Sequence, residues 1–235
     1  MLKKDFLVHT TKQVVSQTFR LGAVLIFCFI FLTASSVLLV RFFNPPFSSF
    51  MVWESNFFQK KIDHSWTPIP NMGENIVLSI VATEDSNFCN HLGVDIKEIY
   101  KVVTKGEKRG ASTITQQLAK NLFLWHGRSW LRKIIEMYYT FLIETVIPKR
   151  RILELYLNIV ETSPLTFGVD RASEKYYKKP SNKLTKEQAI RIALTLPNPK
   201  ARNPKKLKSY LVKRISRLKK DIEILKKGDR SSCFL

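Results

Sequence analysis

The longest apolar stretch of the chain lies close to its N-terminus. Residues 21–40 read LGAVLIFCFIFLTASSVLLV without a charged side chain, and about 20 apolar residues suffice to cross the hydrocarbon core of a bilayer. Four basic residues and one acidic residue precede the stretch, so residues 1–20 are expected to form a cytoplasmic basic tail. A cleaved signal peptide is the alternative. The long apolar core and the lack of an A-x-A-like site before Arg41 favour a retained transmembrane helix.

Helical periodicity dominates the chain from residue 74 onward. Apolar positions recur at i, i+3 and i+4, whereas the alternation typical of strands is scarce. The fold class expected for a domain over residues 74–204 is therefore mainly α. The predicted helices are Asn75–Phe88, Thr113–Trp125, Ser129–Thr145, Lys149–Val160, Thr185–Leu196 and Pro204–Lys227.

Two segments flank this domain. Residues 41–73 are interpreted as a membrane-proximal linker rich in aromatic side chains, which suit either the membrane interface or packing against the domain. Residues 205–235 are predicted to form a basic amphipathic helix and tail. Such a helix could lie on an anionic membrane, but docking on the domain with solvated charges is favoured. Its apolar positions are Leu207, Leu211, Ile215, Leu218, Ile222 and Leu225.

Charge and cysteine content narrow the choice of partners. The 235-residue chain carries a formal charge of +20 at pH 7, which implies an anionic partner such as nucleic acid, a lipid surface or a phosphate-bearing substrate. The three cysteines, Cys28, Cys89 and Cys233, lack metal-ligand spacing, and we expect all three to be free thiols. A bridge between Cys89 and Cys233 has no sequence feature in its favour.

An acidic pair ends the first predicted helix of the domain. Glu84 and Asp85 follow the apolar run 76–82, where partial desolvation raises the pKa of a carboxylate and makes it a better general base. His91 and Gly93 then mark a turn. Acidic residues are mostly solvated, so this signal is weak by itself.

The next predicted helix opens with a polar stripe. Free N–H groups at a helix start favour anions, residues four apart share a face, and amides and hydroxyls suit sugar hydroxyls. Capping by one of the hydroxyl residues is the simpler role, but it does not explain the successive amides. The polar residues are Ser112, Thr113, Gln116, Gln117, Lys120 and Asn121.

Charged residues follow on two further helices. Arg132, Lys133 and Glu136 fall on one face, either as an intrahelical ion pair worth about 0.2–0.5 kcal/mol or as a carboxylate among cations that bind pyrophosphate. Glu154 and Asn158 share a face of the next helix, where a structural packing role is favoured.

Four segments, in this order, resemble the signatures of the family 51 glycosyltransferases, the peptidoglycan polymerases. The resemblance spans about residues 66–222 and is nearest to the monofunctional biosynthetic peptidoglycan transglycosylases, which have one membrane helix and one catalytic domain. The segments are Glu84-Asp85-x-x-Phe88-x-x-His91-x-Gly93, Gly110-x-Ser112-Thr113-Ile114-Thr115-Gln116-Gln117-Leu118-x-Lys120-Asn121, Arg132-Lys133-x-x-Glu136 and Ile152-Leu153-Glu154-x-Tyr156-Leu157-Asn158.

This resemblance implies a lysozyme-like helical glycosyltransferase domain on the outer side of the bacterial cytoplasmic membrane. The enzyme would polymerise lipid II into β-1,4 glycan strands with inversion and release undecaprenyl pyrophosphate. Glu84 would be the general base and Glu136 the second catalytic carboxylate. The implied substrate-binding residues are Asp85, Phe88, His91, Ser112, Thr113, Gln116, Gln117, Lys120, Asn121, Arg128, Arg132 and Lys133.

The resemblance also bears on cofactors and partners. No cofactor is obligatory and no dedicated metal site is expected, although Mg²⁺ or Mn²⁺ could assist the pyrophosphate. The implied partners are lipid II, the growing glycan strand and membrane lipids, and other cell-wall synthesis proteins could join them.

Two departures from the family pattern concern loops. The chain between His91 and Ser112 is several residues shorter than usual, in a stretch expected to be a mobile flap over the glycan groove. Residues 161–168 lack the glycine-rich turn expected after the fourth signature. Neither departure touches the two carboxylates.

Three other functions compete with this interpretation. A lytic transglycosylase of lysozyme type would share the helical fold and a key glutamate, but not four polymerase-like segments and a retained anchor. A catalytically weak membrane scaffold explains the charge but not Glu84 and Glu136 in their contexts. Nucleic-acid binding ranks last, because the predicted topology exports the basic domain.

Overall fold

The N-terminal apolar stretch forms one long helix, α1 (Leu2–Phe42). The computed structural model describes residues 2–106, 110–127, 129–227 and 230–235. The chain divides after Phe42 into two compact units. Within α1, residues Ser16–Phe42 are long and apolar enough to cross a membrane by length and composition. The predicted N-terminal apolar helix is confirmed, and its depth in a membrane stays a prediction.

The second unit is mainly helical, as predicted. All six helices expected from periodicity are present, with ends shifted by a few residues. Shorter helices that the periodicity did not predict join them, and one of these, α5, has no buried side chain. The helices are α2 (Ser49–Glu54), α3 (Ile69–Met72), α4 (Glu74–Glu84), α5 (Ile96–Thr104), α6 (Ile114–Phe123), α7 (Trp130–Val146), α8 (Lys149–Ile159), α9 (Val169–Tyr177), α10 (Lys186–Ala193) and α11 (Ser209–Lys227), with 3₁₀ turns at Phe88–Asn90 and Ser181–Lys183.

A small sheet joins the linker to the domain. Its strands β1 (Asp63–His64), β2 (Glu161–Ser163) and β3 (Thr166–Phe167) lie in the order β1-β3-β2, with β1 parallel and β2 antiparallel to β3. Where a glycine-rich turn was expected, Leu165 adopts a φ of +56°, in the left-handed region that favours glycine. Its N–H donates to Oε1 of Glu161 at 3.3 Å, which helps to hold this turn.

Helix α4 lies at the centre of the core. Its residues Ile76–Val81 are all buried, and it packs against α10 and α11, while α6 packs against α7 and α8. A helix that is apolar on all sides belongs in the interior of a protein. The C-terminal end of α4 is therefore fixed by the core, and Glu84 is its last residue.

Helix α11 docks on the domain, as the sequence analysis favoured. Its apolar positions recur every three or four residues and are at most 5% exposed: Leu211, Ile215, Leu218, Ile222 and Leu225. Leu207 lies before the helix and is half-buried. The basic side chains of α11 are left on its solvated side, which is the arrangement expected of an amphipathic surface helix.

The aromatic linker divides between packing and exposure. Ser49 donates through its Oγ to the carbonyls of Asn121 (3.1 Å) and Leu124 (2.8 Å), and the Phe50 ring lies 6.4 Å from that of Phe167. Trp66 is partly buried. The other aromatic side chains of the linker are about half exposed or more, and their contact with a membrane stays a prediction. They are Phe42, Phe43, Phe47, Trp53, Phe57 and Phe58.

The expectation that all three cysteines are free thiols is wrong for two of them. Cys89 and Cys233 form a disulfide with their Cα atoms 5.7 Å apart, whereas Cys28 is free and exposed. The two residues are 144 positions apart in sequence. They meet because α11 docks and returns the C-terminus to the 3₁₀ turn Phe88–Asn90, a long-range consequence that no local spacing reveals.

A matched pair of isoleucines on α11 tests the docked helix. Ile222 is 1% exposed and Ile224 is 57% exposed. We expect Ile222→Ala to lower the free energy of unfolding by about 2–5 kcal/mol, because it removes buried methyl groups and leaves a cavity. Ile224→Ala should change it by less than about 0.5 kcal/mol. Denaturant unfolding of both variants measures the difference, and equal effects would contradict the docking.

Candidate active site

Glu84 is held at the point where α4 leaves the core. Its Oε2 accepts a hydrogen bond from Nε2 of Gln117 on α6 at 3.0 Å. Burial raises the pKa of Glu84, while the Gln117 hydrogen bond and the positive charge of Arg214 oppose part of that rise. The direction of the shift is the one expected of a carboxylate adapted to take a proton near neutral pH.

Tyr156 fixes the orientation of Gln117, and the sequence analysis missed it as a site residue. The Tyr156 hydroxyl donates to Oε1 of Gln117 at 2.9 Å, so the amide must turn its Nε2 toward Glu84. Tyr156 is fully buried, and burial raises the pKa of its hydroxyl well above the usual value, which keeps it a neutral donor. A buried tyrosine needs a partner for its hydroxyl, and that requirement was the available signal.

Asp85 and His91 form a brace beside Glu84. Asp85 is buried, and its Oδ2 accepts from the backbone N–H of Ile114 at 3.0 Å, at the start of α6. Its Oδ1 lies 2.9 Å from Nε2 of His91, whose Nδ1 accepts from the Gly93 N–H at 3.1 Å. The network therefore assigns the ring hydrogen to Nε2. Direct contact of Asp85 or His91 with substrate stays a prediction.

Gly93 allows this brace to close. Its φ is +83°, and a Cβ at this position would lie 2.6 Å from Cγ2 of Thr140. Any side chain would therefore collide with α7 as well as strain the backbone. Thr113 donates through its Oγ1 to the Gly93 carbonyl at 2.6 Å, which joins the turn to the start of α6.

Capping accounts for more of the polar stripe than the sequence analysis allowed. Thr113 and Gln116 form a reciprocal capping box at the start of α6, and the Gln116 Nε2 donates to Sδ of Met137 at 3.2 Å. Gln116 is only 3% exposed, whereas Ser112 is exposed and is not the cap. Phe88 is 1% exposed. Substrate contacts of these residues stay predictions.

The second carboxylate is neutralised by two cations. Glu136, which is 3% exposed, accepts from Arg132 (3.1 Å) and from Lys133 (2.5 Å). The structure thus brings together the three residues that the spacing placed on one face. The Nε of Arg132 is buried and has no hydrogen-bond partner within the described part of the chain.

Lys120 connects the two carboxylates electrostatically. Burial lowers the pKa of Lys120, and the charges of Glu136 and Glu84 oppose that change. It therefore lies within electrostatic range of both. Asn121 is buried one position further along α6. Arg128, which the resemblance implied as a further cation, lies outside the described residues.

Glu154 and Asn158 have the structural role that was favoured for them. Asn158 accepts from the Thr67 N–H at 2.8 Å and donates to the Thr67 carbonyl at 2.9 Å. Glu154 accepts from the Ile69 N–H at 3.1 Å. The fourth segment therefore fastens the end of the linker to α8.

Two arginines near Glu84 were missed altogether. Arg214 and Arg202 both act electrostatically on its carboxylate. Arg214 lies on α11, and Arg202 donates to the Leu194 carbonyl at 2.8 Å. Both come within electrostatic range of Glu84 because α11 packs on α4, and the sequence contains no local signal of that arrangement.

Comparison with known proteins places this chain in a family. A sequence model described as Transglycosylase matches residues 53–223, which include Glu84, Glu136 and the residues around them. The chain belongs to this family of transglycosylases. The predicted resemblance, the mainly α fold class and the class of enzyme are confirmed.

Curated relatives narrow the comparison. The chain is 40% identical over 210 residues to the biosynthetic peptidoglycan transglycosylase of Pasteurella multocida (strain Pm70), covering 85% of each chain. It is 42% identical over 185 residues to the protein of that name in Haemophilus influenzae (strain ATCC 51907 / DSM 11121 / KW20 / Rd), covering 74% of this chain and 75% of the relative. The protein of the same name in Brucella suis biovar 1 (strain 1330) is 43% identical over 168 residues, covering 70% and 75%.

Tyr156→Phe tests the hydrogen bonds that orient Gln117. Removal of the hydroxyl leaves the partly buried amide oxygen of Gln117 without its donor, and we expect the free energy of unfolding to fall by about 1 kcal/mol or more. Tyr210→Phe on α11, where Tyr210 is 54% exposed, should leave it unchanged. Denaturant unfolding compares the two variants, and an unchanged Tyr156→Phe protein would contradict the assigned hydrogen bond.

Proposed function

We propose that the chain polymerises lipid II into β-1,4-linked glycan strands with inversion at the anomeric carbon. The family membership and the printed name of the relatives support a peptidoglycan glycosyltransferase. The observation that carries the proposal is Glu84 itself, a carboxylate desolvated at the end of a core helix and oriented by Gln117.

Glu84 is the general base in this proposal. The growing strand, held on its undecaprenyl pyrophosphate, is the donor, and the 4-hydroxyl of an incoming lipid II is the acceptor. That oxygen forms a bond to the donor's anomeric carbon from the face opposite the pyrophosphate, its proton passes to Glu84, and the bond to the pyrophosphate breaks. Positioned proton transfer of this kind contributes roughly 10²–10⁴-fold. The Gln117 hydrogen bond holds the accepting oxygen in place.

The cations of α6 and α7 serve the leaving group. A pyrophosphate needs positive charge rather than a proton to depart, and Lys120, Arg132 and Lys133 supply it. Glu136 holds Arg132 and Lys133 in position beside the leaving group. Asn121 and Ser112 are proposed to bind further sugar or phosphate oxygens.

A divalent ion is given no step in this mechanism. Within the described ranges, no group of three or more His, Cys, Asp or Glu side chains could hold a metal ion. Glu136 is already paired with two cations. Among the described residues, the Glu136 carboxylate is therefore occupied by cationic side chains, and the proposal assigns the charge of the leaving group to those side chains.

The apolar α1 helix suggests a membrane anchor, and we propose that it holds the catalytic unit on the exported side of the bacterial cytoplasmic membrane. The basic residues that precede the apolar stretch support a cytoplasmic N-terminus. The Cys89–Cys233 disulfide supports an oxidising compartment for the catalytic unit. A lipid-anchored substrate then lies in the same membrane plane as the enzyme.

Glu84→Gln tests the proposed base. We expect it to remove nearly all polymerisation while the fold is kept, because the amide cannot take a proton. Glu74→Gln at the other end of α4 is the matched control and should polymerise like the unchanged protein. Purified full-length protein in detergent is given labelled lipid II, and the products are separated on a gel before and after muramidase digestion.

The expected product is muramidase-sensitive polymer that is blocked by moenomycin. Normal polymer from Glu84→Gln would overturn the role of the base. Shortening of added glycan strands without any polymer would indicate a lytic enzyme instead. No polymer from folded protein with intact lipid II would indicate a scaffold.

The raised pKa of Glu84 predicts the acidic limb of the pH profile. The base acts only when it is ionised, so activity is lost as the pH falls through its pKa. Burial raises that pKa above the ordinary value of 4.5. The pH at which the rate falls to half of its maximum should therefore lie above 4.5. The polymerisation rate at saturating lipid II, measured from pH 4 to pH 8, checks this, and a limb below the ordinary glutamate pKa would contradict it.

A further inference from the structure

The last six residues of the chain fold back onto the first catalytic segment. Residues 230–235, called here the C-terminal strap, form a turn in which Phe234 and Leu235 donate their N–H groups to the Ser231 carbonyl at 3.1 and 3.0 Å. Phe234 is 1% exposed and Ser231 is 8% exposed. Residues 231 and 234 are therefore held against the domain.

Three chemically different contacts tie the strap down. Cys233 is bonded covalently to Cys89. The Phe234 ring packs against Phe88, with centroids 6.1 Å apart. A main-chain oxygen of Leu235 accepts from the Arg150 guanidinium at 3.0 Å. The first two contacts fall on the 3₁₀ turn Phe88–Asn90, which begins four residues after Glu84.

The contacts continue from this turn into the brace. The Phe88 ring meets the edge of His91 at a centroid distance of 6.3 Å. The Lys149 ammonium lies 4.5 Å from the centre of the Phe88 ring, donates to the His91 carbonyl at 2.7 Å and pairs with Glu144 at 2.8 Å. His91 is therefore held from its ring and from its backbone.

The brace then reaches the base. His91 is hydrogen-bonded to Asp85, the residue that follows Glu84 in sequence. Asp85 also accepts a hydrogen bond from the Ile114 N–H. That N–H begins the helix that carries Gln117, the direct partner of Glu84. A continuous series of packed rings and hydrogen bonds thus runs from the strap to the proposed base.

We infer that the C-terminal strap is a positioning element for Glu84, completed when Cys89 and Cys233 are oxidised. This inference rests on the proposed role of Glu84 as the base. Two thiols lose two protons and two electrons to form the bond, and a disulfide-bearing oxidant protein accepts them by thiol–disulfide exchange. The strap is then covalently closed only on the oxidising side of the membrane.

The test compares the full-length protein with strap variants in the same lipid II assay. The variants are Cys89→Ser/Cys233→Ser, which removes both thiols of the disulfide together, and Phe234→Ala, which keeps the disulfide. Cys28→Ser, at the free and exposed cysteine, is the matched control. A non-reducing peptide map first checks the Cys89–Cys233 linkage.

We expect the double variant to lose roughly tenfold in kcat with little change in KM, since small misplacements of a catalytic group act on the chemical step. Its acidic limb should also move to lower pH, because water admitted by the loosened turn weakens the burial that raises the Glu84 pKa. Phe234→Ala should show both effects in weaker form. Reduction of the unchanged protein should produce the same fall in kcat and the same shift of the acidic limb. Reductant should have no further effect on the double variant.

The reduction experiment keeps the test decisive if the double variant fails to fold, because it begins from folded protein. Unchanged kcat and pH profile after verified reduction would overturn the inference, as would a peptide map without the linkage. Activity could instead fall only in proportion to the folded fraction, with the acidic limb of the pH profile unchanged. That result would show that the strap is merely structural, and it would also overturn the inference. An active Glu84→Gln protein would instead overturn the proposed function, so the two failures are distinguishable.

Discussion

Helix α4 is buried on every side, and the position of the candidate base follows from that burial. Its residues 76–81, apolar except for Ser79, are buried, and the helix packs against α10 and α11, so it cannot shift without opening the core. A carboxylate at its C-terminal end loses water, and loss of water raises the pKa of a carboxylate. The fold thereby gives Glu84 the raised pKa that suits a general base. Helix α6 contributes the Gln117 amide, which orients the Glu84 carboxylate.

The two candidate catalytic carboxylates have opposite environments. Glu84 faces the amide of Gln117, whereas Glu136 is paired with Arg132 and Lys133. Carboxylates in such different settings suit different tasks: the first can exchange a proton, and the second can hold cations for an anionic leaving group. The charges of both carboxylates act on the pKa of Lys120, so α6 carries a cation within electrostatic range of both.

Local patterns predicted the elements of the fold, because each depends on residues close in sequence. The period of apolar residues predicted α4, α6, α7, α8, α10 and α11, and the i, i+3 and i+4 spacing predicted the group around Glu136. The resemblance of four segments named Glu84 and Glu136 as the catalytic carboxylates, and that assignment stays a prediction. Helix ends were less well predicted: the first helix ends at Glu84 rather than Phe88, because Asp85 turns its side chain to the start of α6.

Contacts between distant segments could not be predicted in this way. The Cys89–Cys233 disulfide, the approach of Arg214 to Glu84 and the hydrogen bond from Tyr156 to Gln117 each require helices to be placed in space first. The same holds for Leu165, whose left-handed backbone replaces an expected glycine-rich turn. These long-range contacts determine how the base is held, so the sequence indicated which residues form the candidate site more readily than how they are arranged.

The most direct test of this account is the pKa of the Glu84 carboxyl group. It is measured from the ¹³C chemical shift of the carboxyl carbon as a function of pH, on the full-length protein in detergent with labelled glutamate. Comparison with Glu84→Gln assigns the resonance. Desolvation at the end of α4 predicts a pKa above the ordinary value of 4.5. A pKa at or below that value would mean that the core does not desolvate Glu84, and it would contradict the central claim.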